Sequence, residues 1–119
     1  MLNLSELVRI YVCLAPTDMR KSFDTLAALV RDWLGYDPLS GHLFVFLNRY
    51  RDRVKILFWD RSGYCLYYKR LEAGTFRLPV QTDTGVACCA LSLPDLTLML
   101  EGIDLSNCRR RKRFLLNAA

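Results

Sequence analysis

The sequence predicts an α+β fold: a mostly antiparallel sheet of five to six strands, one main amphipathic helix over residues 19–34 and a short C-terminal helix over 94–101. Three observations predict it. Short β-branched and aromatic runs recur along the chain, separated by turn-forming residues. Most of the separations have hairpin length. One long segment alone carries apolar residues at helical spacing. At 119 residues, 52% of them hydrophobic, the chain is long enough for one domain with a true core. That domain is expected over 1–108, with 109–119 as a basic, flexible tail.

The elements follow in order. "VRIYVCL" (8–14) reads as a strand, stopped by Pro16. From Met19 the apolar residues Phe23, Leu26, Ala27, Val30, Trp33 and Leu34 form the stripe of an amphipathic helix, and Gly35 is its natural stop. Asp18 is the expected N-cap. "YDPLSG" (36–41) is a turn, and "HLFVFLN" (42–48) is a strand apolar on both faces, hence central and covered on both sides. "RYRDR" links it to "VKILFWD" (54–60). "DRSG" suits a type I turn into "YCLYYKRL" (64–71). "EAGT" marks another hairpin, leading to a short strand "FRLP" that ends at Pro79. "VACCALS" (86–92) is a further strand. Ser92, Pro94 and Asp95 then start the last helix, on which Leu96, Met99 and Leu100 share a face until Gly102.

The net charge is +5, and Arg109, Arg110, Arg111, Lys112 and Arg113 account for all of it; the remaining body balances 12 basic against 12 acidic residues. Any argument for nucleic acid must therefore rest on local clusters. The five cysteines include no C-x-x-C pair and fall mainly in apolar runs, as reduced, buried residues do. With His42 as the only histidine, no metal site is expected. No apolar run approaches the roughly 20 residues of a membrane span, and the first residues lack a basic leader and a cleavage site, so a cytoplasmic location and no membrane partner are expected.

Two clusters could bind an anion. Arg20 and Lys21 would sit in the first helical turn, where the free N–H groups disfavour cations by roughly 0.3–1 kcal/mol each. A bound phosphate would reverse that cost; the plain alternative is a solvated helix end with Arg20 paired to Asp24. In "NRYRDRVK" (48–55), Arg49, Arg51, Arg53 and Lys55 alternate, so an extended hairpin would project all four from one face and Tyr50 from the other. A basic ribbon suits DNA, although charge on a hairpin also protects a sheet edge. The tail would add phosphate affinity without sequence preference. No catalytic residues and no cofactor are expected: there is no phosphate loop, no nucleophile motif and no convergent set of carboxylates, Asp60 being explained by its turn.

The segments "TDMRKSFDTL" (17–26), "DPLSGHLFVF" (37–46), "VKILFWDRSGYCLYYKRLEAGTF" (54–76) and "LMLEGID" (98–104) together resemble the small accessory protein encoded by the second reading frame of bacterial insertion sequences of the insertion sequence 66 family. The resemblance covers most of 8–104. It implies a non-catalytic role in DNA transposition beside a separate, larger transposase; with the basic clusters, the expected partners are DNA, element ends included, the transposase and the other accessory protein of the same element. Its Met-Arg-Lys element falls on Met19, Arg20 and Lys21; its Trp-Asp and Lys-Arg-Leu-Glu elements fall on Trp59, Asp60, Lys69, Arg70, Leu71 and Glu72. This chain has Ser22 where the family usually has Gly, and Leu78 where it commonly has Trp. The alternative from the residues is a protein-interaction module that bridges transposase subunits through Trp59, Tyr64 and Tyr68 without touching DNA. A small metal-dependent nuclease using Asp60 is a third.

Overall fold

A computed structural model describes residues 7–78, 86–104 and 109–110. Five strands form one mixed sheet in the order β4-β3-β2-β1-β5, made of β1 (Ile10–Cys13), β2 (Leu43–Leu47), β3 (Arg53–Asp60), β4 (Gly63–Arg70) and β5 (Cys88–Leu91). Three of the four pairings are antiparallel. The exception is β1 with β2, which run parallel with Ile10 opposite Leu43. Parallel neighbours need a crossover, and the main helix supplies it: α1 (Phe23–Leu29), continued by a π-helical segment (Val30–Leu34).

Alternation along the strands sorts the side chains into two cores. Val12, Leu43, Val45, Leu47, Val54 and Ile56 face the layer made by α2 (Leu93–Leu100) and by Phe76. Cys13, Phe44, Phe46 and Leu57 face Leu26, Ala27, Val30 and Leu34 of the helix. Every residue of β2 is buried, as its two-faced apolar sequence requires. Phe44 and Phe46 are fully buried, and each contributes roughly 2–3 kcal/mol in area removed from water.

The main helix starts later than its stripe predicts. Ser22, not Asp18, is its N-cap, and the Ser22 N–H donates to Thr25 Oγ1 at 2.9 Å. Asp18 instead caps its own turn: its Oδ1 accepts from the Arg20 N–H at 2.9 Å, and its carbonyl accepts from Lys21 N–H at 3.1 Å. Arg20 and Lys21 therefore precede the helix, and the expected conflict with its dipole does not arise. Ser22 has an extended backbone (φ −131°), so a residue other than Gly is unstrained there. At the other end the helix widens, with the Gly35 N–H reaching back to the Val30 carbonyl. The wider turn keeps Val30 and Leu34 inside but carries Trp33, expected in the core, out to 58% exposure.

Other turns differ in detail. Arg61 has φ 51°, which a type I turn excludes; a positive φ in a two-residue connection matches the twist of β3 and β4. Residues 76–78 are not a strand. The Leu71 and Phe76 N–H groups donate to the carbonyls of Asp52 and Arg51, so the chain packs back along the β2–β3 hairpin and buries Phe76. Ser92 caps α2 by accepting from the Asp95 N–H at 3.2 Å, as expected. Lys69 donates to the Leu100 carbonyl at 2.7 Å at the far end of that helix. A two-stranded ribbon pairs β6 (Ile103–Asp104) with β7 (Arg109–Arg110), the first two residues of the basic run; Pro79 and the rest of the tail lie outside the described residues.

Candidate functional site

The Thr17 N–H donates to the Leu47 carbonyl at 2.8 Å and so ties the turn before α1 to the end of β2. Just beyond Leu47 the β2–β3 hairpin begins. Asn48 organises it: its Oδ1 accepts from the backbone N–H groups of Asp52 and Arg53, and its Nδ2 donates to Asp52 Oδ1 at 2.6 Å. Arg51 closes the turn in the left-handed region (φ 56°), donating its N–H to the Asn48 carbonyl.

Between these walls lies an open cleft of about 550 Å³. Arg20 and Asp18 line one side; Asn48, Arg49, Tyr50 and Arg53 line the other. The two sequence clusters are thus brought together, but not by the route the sequence predicts. Residues 49–52 form the turn rather than strand, so strict alternation does not hold there. Tyr50, expected on the opposite face, stands in the cleft with the arginines and is 77% exposed.

Arg20 is gripped by Asp18 in a two-pronged pair, Nη2 to Oδ2 at 2.6 Å and Nε to Oδ1 at 3.1 Å, and not by Asp24. The Arg20 guanidinium, by this hydrogen bonding and with the Arg20 backbone N–H, holds the Asp18 carboxyl at about 2. The same pair raises the Arg20 pKa. Among the described residues, neither Arg49 nor Arg53 has an ion-pair partner; Arg53 makes one long contact, 3.5 Å, to the Tyr68 hydroxyl. The cleft therefore holds three guanidinium groups against one carboxylate.

The other candidate residues are placed differently. Arg51 joins Arg49 at a smaller adjoining recess of about 100 Å³. Lys21 is half-buried beside the cleft and offers its carbonyl inward. Lys55 is a correction: it is 6% exposed, and its ammonium donates to the carbonyls of Met19 and Lys21, both at 2.7 Å, while lying 4.7 Å from the centre of the Tyr68 ring. Alternation assigns its face correctly, but the turn before α1 covers that face. Sequence reasoning missed Asn48 and Tyr50 as site residues. Asn48 carries no local signal: its Oδ1 accepts from groups four and five residues on, beyond the two-residue reach of the common side-chain turn.

Elsewhere, His42 Nδ1 accepts from the Arg9 N–H at 2.9 Å, a structural role. Burial raises the Cys13 and Cys89 thiol pKa values, as for inert cysteines. Asp60 is exposed at its turn, and among the described residues no three His, Cys, Asp or Glu side chains gather as metal ligands. No helix among them is long and apolar enough to cross a membrane.

Fold and cleft together define a small α+β protein that presents arginines and an exposed aromatic ring around one opening. The chain belongs to a family described as IS66 Orf2-like proteins, whose model matches residues 8–110. That membership associates it with the IS66 insertion sequences and their transposition. Two relatives from Sinorhizobium fredii (strain NBRC 101917 / NGR234) bear names without a function. Uncharacterized protein y4hO is 38% identical over 104 residues, covering 87% of this chain and 88% of its own. Uncharacterized protein y4jC is 34% identical over 111 residues, covering 93% and 92%. No solved structure matches the chain.

Proposed function

We propose that this protein is a non-catalytic accessory factor of transposition that grips the phosphate backbone of DNA, element ends included, in the cleft between the 16–20 turn and the 48–53 hairpin. It acts in the cytoplasm beside the transposase and the other accessory protein of the same element. The observation that carries the reading is the convergence of Arg20, Arg49 and Arg53 on one opening, two of them without a carboxylate partner among the described residues. Guanidinium groups left unpaired around a concave surface suit phosphate, which they can hold through two parallel hydrogen bonds. Arg51 and Lys21 flank the same edge, and Lys55 serves by fixing the turn that carries Arg20.

The test is a titration of an element-end duplex and a random duplex over a range of salt. Replacing Arg49 and Arg53 with alanine should weaken binding to both and lower the slope of log K against log salt by about two. Unchanged affinity and slope would remove the DNA-binding role.

A second reading has one observation in its favour. β4 is an edge strand, and Tyr68 is exposed on it, on the same face as Tyr64, whose ring makes an edge-to-face pair with Trp59 with centres 5.1 Å apart. This surface suits a protein partner such as the transposase. Co-purification that survives nuclease and high salt, and is lost on Tyr68→Ala, would favour it.

A further inference from the structure

Resting on the reading of the cleft as a phosphate grip, we propose that its preferred ligand is single-stranded DNA, with an unstacked base lying against Tyr50. The argument begins with size. A cleft of about 550 Å³ falls within the roughly 300–1,000 Å³ of small-molecule sites, the scale of a nucleotide rather than of a duplex. A duplex would offer the cleft only its phosphate backbone. A strand with free bases could place one inside.

Tyr50 provides the second step. It is the most exposed of the large aromatic residues described, at 77%, and belongs to neither core. The backbone beneath it is nonetheless fixed. The turn that carries it is closed by the Asn48 side chain on one side and by the Phe76 N–H donating to the Arg51 carbonyl on the other. An exposed aromatic ring on a braced turn between Arg49 and Arg53 is the combination single-strand binders use: cations follow the backbone, and the ring takes the face of any base.

Charge within the cleft gives the third step. The Asp18 carboxylate stands on the wall opposite Tyr50, bound to Arg20. It makes that wall less favourable for a phosphate than the hairpin side, where Arg49 and Arg53 have no acidic neighbour in an ion pair. A phosphate at Arg49 and Arg53 and a base against Tyr50 both lie on the hairpin wall, away from the Asp18 carboxylate.

Oligodeoxythymidine and its duplex with oligodeoxyadenosine separate the possibilities, titrated against the full chain and against Tyr50→Ala, Tyr50→Phe and the Arg49→Ala/Arg53→Ala pair. The single strand should bind roughly tenfold or more tightly than the duplex. Tyr50→Ala should lose roughly 10- to 100-fold on the single strand and leave both the duplex affinity and the salt slope unchanged, while Tyr50→Phe keeps wild-type binding. Equal affinity for the two forms, or a silent Tyr50→Ala, overturns the inference; if the arginine pair still weakens both, the phosphate grip survives it. No arginine effect on either form removes both.

Discussion

Lys55, in the third strand, donates a 2.7 Å hydrogen bond to the carbonyl of Met19, in the turn before the main helix. A second bond of the same length reaches the Lys21 carbonyl. The sheet thereby holds the turn on which Arg20 is mounted, and a buried ammonium that finds two carbonyls and an aromatic face is well satisfied. Lys55→Met keeps the stem but strands both carbonyls. It should lower stability by about 2–4 kcal/mol, measured by denaturant unfolding. DNA affinity should fall with the loosened turn while its salt slope stays the same. A slope reduced by about one at unchanged stability would instead make Lys55 a phosphate contact.

Arg51 holds φ 56°, a region that costs an ordinary residue roughly 1–2 kcal/mol. Glycine relieves that strain but makes the unfolded chain more flexible, an opposing effect of about 0.4–1 kcal/mol. Arg51→Gly should therefore leave stability unchanged or raise it by up to about 1 kcal/mol. Arg51→Val, branched at the β-carbon, should destabilise clearly. Thermal unfolding of the two variants checks this, and the glycine variant then measures what the Arg51 guanidinium adds to DNA binding without a folding defect.

Much of this architecture is legible in the residues. The five sheet strands stand on β-branched and aromatic runs, β2 is identifiable as central from "LFVFL", and Ser92 with Pro94 marks the last helix. The parts that are not legible depend on contacts between distant segments. The parallel pairing of β1 with β2 is signalled by the strand–helix–strand order of that region, but the hairpins that follow dominate a reading of the sheet as mostly antiparallel. Met19 extends the helical stripe backwards and Asp18 is a good cap, so the true start at Phe23 is hidden; the competing force is Lys55, 34 residues after Lys21, which holds the turn's carbonyls. "FRLP" has strand composition, yet its backbone pairs with the tip of a hairpin. For the site, charge spacing identifies the two basic segments, but only the long-range bonds of Thr17 to Leu47 and of Lys55 to Met19 and Lys21 put them on one cleft. Alternation puts Tyr50 on the wrong side because it does not survive a turn.

Gly35 ends the main helix at φ 77°, and a β-carbon added there would meet nothing within 4 Å. The cost of Gly35→Ala is therefore backbone strain alone, about 1 kcal/mol. Thermal unfolding should show it, and Gly35→Asn should recover part of it, since asparagine tolerates the left-handed region. A loss well above that value would mean that the wide turn over Val30–Leu34 had rearranged as well.

The Asp18 carboxyl, held at about 2 by Arg20, makes the last prediction. Because its folded pKa lies below the ordinary carboxylate value of 3.8, the ion pair's contribution is complete above about pH 4 and is lost as pH falls toward 2. Both side chains are open to water, so that contribution is small. A carboxyl titration followed by NMR should give a midpoint near 2, returning toward the usual carboxylate range in Arg20→Ala. The larger consequence is for binding. At neutral pH Asp18 occupies Arg20 and adds a negative charge facing an incoming polyanion. Asp18→Asn removes that charge and frees the guanidinium, and should tighten DNA binding by roughly two- to tenfold at low salt, with the gain shrinking as salt rises. Weaker binding by this variant would mean that Asp18 positions Arg20 for the ligand rather than competing for it.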